Sequence, residues 1–89
     1  MAEGVAAVER ALALLDAFTE RDRTLALAGT DKSRLLAATI WLADIGEKEQ
    51  MDAAWKAWVD PDNKPARACV ESRLGTADTR VEIMVTAAK

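Results

Sequence analysis

The sequence predicts one α+β domain, and three features carry that prediction. Residues 5–18 and 47–59 each place apolar side chains at spacings of three and four, the period of an amphipathic helix. Residues 81–86 instead set Val81, Ile83 and Val85 against Glu82, Met84 and Thr86, the period of two of a half-buried strand. The third feature is length: 89 residues leave room for a single core, so the domain spans residues 1–89. A chain of this size buries only roughly 60–65% of its unfolded surface, so self-association is an expected source of further stability.

Each element can be justified in turn. In VAAVERALALLDAF (5–18), Val5, Val8, Leu12, Leu15 and Phe18 form the apolar stripe, with Glu9, Arg10 and Asp16 on its flanks and alanines adding helix propensity. TERDRTLALA (19–28) either continues this helix or frays. Gly29-Thr30-Asp31 supplies the stop, because glycine suits the left-handed position just past a helix C-terminus. LLAATIWLA (35–43) is apolar almost throughout, which fits a strand buried on both faces or a short buried helix. EKEQMDAAWKAWV (47–59) starts acidic, as a helix N-terminus prefers, and presents Met51, Ala54, Trp55 and Trp58 on one face. DPDNKP (60–65) is loop. ARACVESRL (66–74) and RVEIMVTAA (80–88) read as strands, and the short GTADT cluster between them predicts a hairpin. The expected order is helix, strand, helix, strand, strand.

Composition narrows the chemistry. A net charge of −3 disfavours a broad electrostatic grip on nucleic acid. With no histidine, the usual general base and the commonest metal ligand are absent. The single cysteine, Cys69, excludes an internal disulfide and multi-cysteine zinc frameworks. No metal site and no cofactor motif is expected. No apolar run approaches the ~20 residues of a membrane-spanning helix, and the N-terminus lacks the basic and apolar regions of an export signal. The expectation is a cytoplasmic protein without membrane contact.

Three residues stand out. Along the 66–74 strand, Arg67, Cys69, Glu71 and Arg73 share one face. Either that face is solvated, or Arg67 forks onto a carboxylate ligand. Cys69 reads first as a small packed side chain, since no histidine exists to activate it. Glu82 lies between Val81 and Ile83, either as a solvated edge residue or as a group that holds a water. A symmetric hairpin about Ala77 would place Glu82 on the face opposite Arg67, and only a bulge, a shifted register or a neighbouring subunit would then unite them. Trp41, Trp55 and Trp58 read as core or interface.

GTDKSRLLAATIWLADI (29–45), MDAAWKAWV (51–59), PARACVE (65–71) and VEIMVTAA (81–88) resemble, in order and spacing, successive blocks of the RidA (YjgF) family of reactive-intermediate deaminases. The resemblance spans residues 29–89. It implies a chorismate-mutase-like sheet with both helices on one face, and homotrimers with ligand clefts between subunits. It further implies cofactor-free hydrolysis of enamines and imines, such as 2-aminoacrylate, to 2-keto acids and ammonia. On this resemblance Arg67 matches the arginine that binds the substrate carboxylate, Cys69 a cysteine lining the pocket, and Glu82 the glutamate associated with the hydrolytic water. An alternative is a non-enzymatic ligand-binding or interaction module of the same fold.

There are departures. The family's N-terminal hairpin and strand have no counterpart here. Lys48 stands where an aromatic residue is common, and Asp52 where asparagine is common. An acid beside the anion site would oppose a substrate carboxylate. Residues 4–28 also resemble the opening helix and turn of IclR-type regulators, and KSRLLAATI (32–40) faintly resembles a recognition helix. Residues 1–28 then read as a substitute first helix, although the same stretch can also serve as the RidA family's own first helix, which precedes the GTDKS turn. A DNA-binding fragment is a third reading.

Overall fold

A computed structural model describes residues 2–89, with side chains described from Val8 onward; Val5 therefore lies outside the described side chains. The elements are α1 (Ala2–Leu27), β1 (Leu35–Leu42), α2 (Lys48–Trp58), β2 (Ala66–Glu71) and β3 (Val81–Ala87). Short 3-10 turns at Lys32–Arg34 and Ile45–Glu47 precede β1 and α2. The fold class and element order are those expected from the sequence.

α1 is one uninterrupted helix through residues 19–27, with no internal turn. Thr19 and Thr24 donate their hydroxyls back to the carbonyls of Asp16 and Glu20, so neither breaks the ladder. Gly29, at φ 82°, ends it: its N–H bonds to the Ala26 carbonyl, and the Thr30 N–H to the Leu25 carbonyl. This is the paired Schellman closure. The buried face overlaps the expected stripe in part: Phe18 is buried and Leu15 packs half-buried against the core. Leu14, Phe18 and Leu25 enter the core, whereas Val8 and Leu12 are 59% and 56% exposed. Both stripes fit the Leu- and Ala-rich segment, and the neighbours decide between them. At about 1.5 Å per residue α1 is far longer than α2, and among the described residues nothing covers Val8 and Leu12.

The hairpin expected between 66–74 and 80–88 does not form. β1 is the central strand, parallel to β2 and antiparallel to β3, in the order β2-β1-β3. The reason is connectivity. α2 carries the chain from β1 over to a neighbouring parallel position, a β-α-β crossover that seats β2 beside β1. β3 then takes the remaining edge of β1, and residues 72–80 cross the end of the sheet to reach it.

β1 is buried on one face rather than two. Ala38, Ile40 and Leu42 lie under the helices, while Thr39 and Trp41 are only half-buried on the other face. A bulge between Leu35 and Ala37 shifts the alternation, returning Leu35 to the buried side and leaving Leu36 exposed. The core joins these residues to Leu14, Phe18 and Leu25 of α1 and to Met51, Ala54, Trp55 and Trp58 of α2. Phe18 stacks on Trp58, centroids 5.4 Å apart, and meets Trp55 edge-on at 5.7 Å. The segment 32–40 is a 3-10 turn followed by strand, so it is not a recognition helix.

Candidate active site

The strand register fixes which side chains share a face. Arg67, Ala38 and Val85 form one row, and Cys69, Ile40 and Ile83 the next. Both rows face the helices, because Ala38 and Ile40 are core residues. α2 roofs the Arg67 and Cys69 end of this face, whereas Glu71 and Arg73 are exposed. Glu82 belongs to the row of Val70 and Trp41 on the open face. Arg67 and Glu82 are thus on opposite faces of one protomer's sheet, as expected, although through a different strand pairing. The register irregularity at Leu35/Ala37 lies elsewhere and does not reunite them.

Arg67 is held on three sides and its side chain is 24% exposed. Its guanidinium carbon lies 5.4 Å from the Trp55 ring centroid, a cation–π contact. Its Nη1 is 3.0 Å from Asp52 Oδ1 and 3.6 Å from Met51 Sδ. All three partners come from α2, where a spacing of three to four puts Asp52 and Trp55 side by side over β2. Asp52 also accepts a hydrogen bond from Lys48 at 2.7 Å, across one helical turn. That bond, reinforced by Arg67, holds the Asp52 carboxyl below its ordinary range. The acid singled out in the sequence does face the arginine.

Arg67 and Asp52 line a cavity of about 540 Å³ together with Trp55, Lys56, Val59, Pro61, Lys64 and Pro65. Lys56 and Lys64 were not singled out in the sequence; Lys56, one residue past Trp55, looks like an ordinary solvated helix position. The loop that forms this wall is clamped: Asn63 donates to the carbonyls of Lys32 and Leu35, and Lys32 Nζ donates to the Trp58 carbonyl at 2.7 Å. Trp58 Nε1 in turn donates to Asp22 on α1 at 3.0 Å.

Cys69 packs partly buried against the core. Burial pushes its thiol up from the ordinary value, outweighing the opposing pull of Arg67 and Lys48. A thiol so placed is a poor nucleophile at neutral pH. Glu82 is exposed, beside a second cavity of about 540 Å³ whose walls include Arg21, Trp41 and Met84. Arg21 Nη1 crosses from α1 to the Ile83 carbonyl at 3.1 Å. Among the described residues, no three His, Cys, Asp or Glu side chains gather as a metal site.

The profile of the family described as Endoribonuclease L-PSP matches residues 6–89. A RutC family protein of Haemophilus ducreyi is 47% identical over 70 residues, covering 79% of this chain and 60% of that protein. The RutC family protein YoaB of Escherichia coli is 39% identical over 77 residues, covering 86% of this chain and 62% of its own length. A crystal structure of a YjgF-family member from Neisseria meningitidis superposes with a TM-score of 0.78 at 47% identity, over 81% of this chain and 60% of that one. The chain spans about 60% of the length of the curated relatives it matches. The match begins within α1, so most of that helix lies in the family region.

Proposed function

The chain belongs to the Endoribonuclease L-PSP family, which takes in the RutC and YjgF (RidA) proteins, and from that premise we propose that it hydrolyses small enamine or imine acids to 2-keto acids and ammonia. The observation that supports this reading best is the seating of Arg67. Its guanidinium forms part of a cavity wall, backed by Trp55 and shielded by α2. A planar fork in a sheltered wall pairs well with a planar carboxylate.

The chemistry asks little more. An enamine first shifts its N–H proton to the terminal carbon and becomes the imine. Water then adds to the imine carbon and one of its protons passes to nitrogen. As the C=O bond forms, the remaining hydroxyl proton also passes to nitrogen, which leaves as ammonia. A positioned water matters more here than a strong base. In this reading Arg67 anchors the carboxylate, Cys69 lines the pocket and Glu82 holds the water. Because Glu82 and Arg67 face opposite ways in one protomer, the complete site draws Glu82 from a neighbouring copy, in a homotrimer with clefts between subunits. No cofactor takes part.

The test is ammonia release from enzymatically generated 2-aminoacrylate. Arg67→Ala should reduce turnover by about two orders of magnitude or more, from loss of substrate positioning. Arg67→Lys should fail as well, because an ammonium lacks the paired donors. Equal rates in all three proteins would overturn the role of Arg67.

A second reading is favoured by one contact: Asp52 already occupies part of the Arg67 guanidinium. In that reading the protein binds a small keto acid without turnover. Saturable binding of 2-oxobutanoate with no ammonia release would select it.

A further inference from the structure

Lys56 and Lys64 line the same cavity of about 540 Å³ as Arg67. Lys56 stands in the last turn of α2, and Lys64 on a loop whose backbone is stiffened by Pro61 and Pro65 and tied down by Asn63. Two cationic side chains therefore share one wall system with the guanidinium. Among the described residues Asp52 is the one acid lining that cavity, and it is shared between two cations: its Oδ1 lies 3.0 Å from Arg67 Nη1 and its Oδ2 accepts from Lys48 at 2.7 Å. Positive charge is in excess even after Asp52 is counted. A ligand with a single carboxylate would satisfy the Arg67 fork and leave both ammonium groups without an anion.

Resting on the reading of Arg67 as a carboxylate anchor, we propose that the cavity selects a dianion, a short 2-imino or 2-oxo acid carrying a second carboxylate. Arg67 grips one carboxylate, and Lys56 and Lys64 attract the other. The second carboxylate is a spectator in the hydrolysis: water still adds at the imine carbon, and the products are ammonia and a dicarboxylic 2-oxo acid. The lysines are specificity-determining and lie outside the bond-making step. As point charges on flexible stems they suit a carboxylate whose distance from the first varies, whereas the arginine demands fixed geometry.

The experiment is calorimetric titration of the full chain with two four-carbon probes, oxaloacetate and 2-oxobutanoate, at low ionic strength. Oxaloacetate should bind about tenfold tighter or better, and added salt should erode the difference. The double variant Lys56→Gln/Lys64→Gln should bring the ratio close to one, the loss falling mainly on oxaloacetate. Arg73→Gln removes a positive charge outside this cavity and should leave the ratio unchanged. Equal binding of both probes to the parent chain overturns the dianion proposal and leaves the Arg67 reading intact. Binding of neither overturns both. If Arg73→Gln abolishes the preference as fully as the lysine pair, the effect is the general field of the molecule and the proposal fails.

Discussion

Asp52 governs how freely Arg67 can bind anything else. It sits 3.0 Å from the guanidinium and is itself bonded to Lys48. Asp52→Asn keeps the shape and removes the competing charge, so affinity for 2-oxobutanoate should rise by roughly twofold to fivefold, the scale of a partly exposed ion pair. Unchanged affinity would mean that Asp52 does not compete. The same substitution has a signature in acid. The Asp52 carboxyl lies below its ordinary value of 3.8, chiefly through the Lys48 bond and then through Arg67. The native state therefore holds that proton less tightly than the unfolded chain. As pH falls below about 4 the unfolded chain protonates first, and the stability contributed above that range is lost as pH drops through the lowered value. Between about pH 5 and pH 2.5 the parent should lose more thermal stability than Asp52→Asn. Equal losses would show that the ion pair contributes nothing. Arg67, Cys69 and Glu82 stand out in the sequence by residue type and by family block, and the register puts the first two on the helix-covered face and Glu82 on the other. What the sequence could not supply was the roof over Arg67, because face assignment in a strand depends on which element lies above it. Lys56 and Lys64 were invisible for the same reason.

The helices and their caps were read more fully than the strand pairing. α2 buries the face expected, Met51, Ala54, Trp55 and Trp58, because its spacing allows one apolar stripe. α1 was ambiguous because ALALL offers two, and the shorter neighbours chose the stripe through Leu14, Phe18 and Leu25. The hairpin failed for a physical reason visible only at this scale. A short turn cluster is consistent with two strands side by side and also with two strands separated by a third. The crossover through α2 selects the second, since it makes β2 parallel to β1 and occupies that edge. Gly29 shows where local sequence does suffice. Its φ of 82° and the closure from Thr30 to Leu25 require a residue without a Cβ penalty, although no atom would obstruct an added Cβ. Gly29→Ala should therefore cost about 1–2 kcal/mol from backbone strain alone. Urea unfolding measures it. A loss below about 0.3 kcal/mol would mean that the end of α1 relaxes at little cost.

At the scale of the whole molecule, among the described residues, the helices cover one side of the sheet. The helices occupy the face of Ala38, Ile40 and Leu42, and the other face presents Val70, Met84 and half-buried Trp41 to solvent. Met84 is 54% exposed in the middle of β3, a costly place for an apolar side chain unless something covers it. That face also carries Glu82, which cannot meet Arg67 within a protomer. One arrangement would resolve both facts: copies that associate through the open face bury Val70 and Met84 and bring Glu82 near a neighbour's cavity. A charge placed at the centre of that face would then have to be desolvated in every copy, at a cost of several kcal/mol, while an isolated protomer would tolerate it in water. Met84→Glu should accordingly convert an oligomer to a monomer in sedimentation equilibrium, leave the helical circular dichroism signal in place, and abolish ammonia release together with assembly. Met84→Leu, similar in volume and apolar, should retain both. A parent chain that sediments as a monomer across the micromolar range yet still releases ammonia would sever the link between assembly and the site, and Glu82 would then have no route to the substrate held by Arg67.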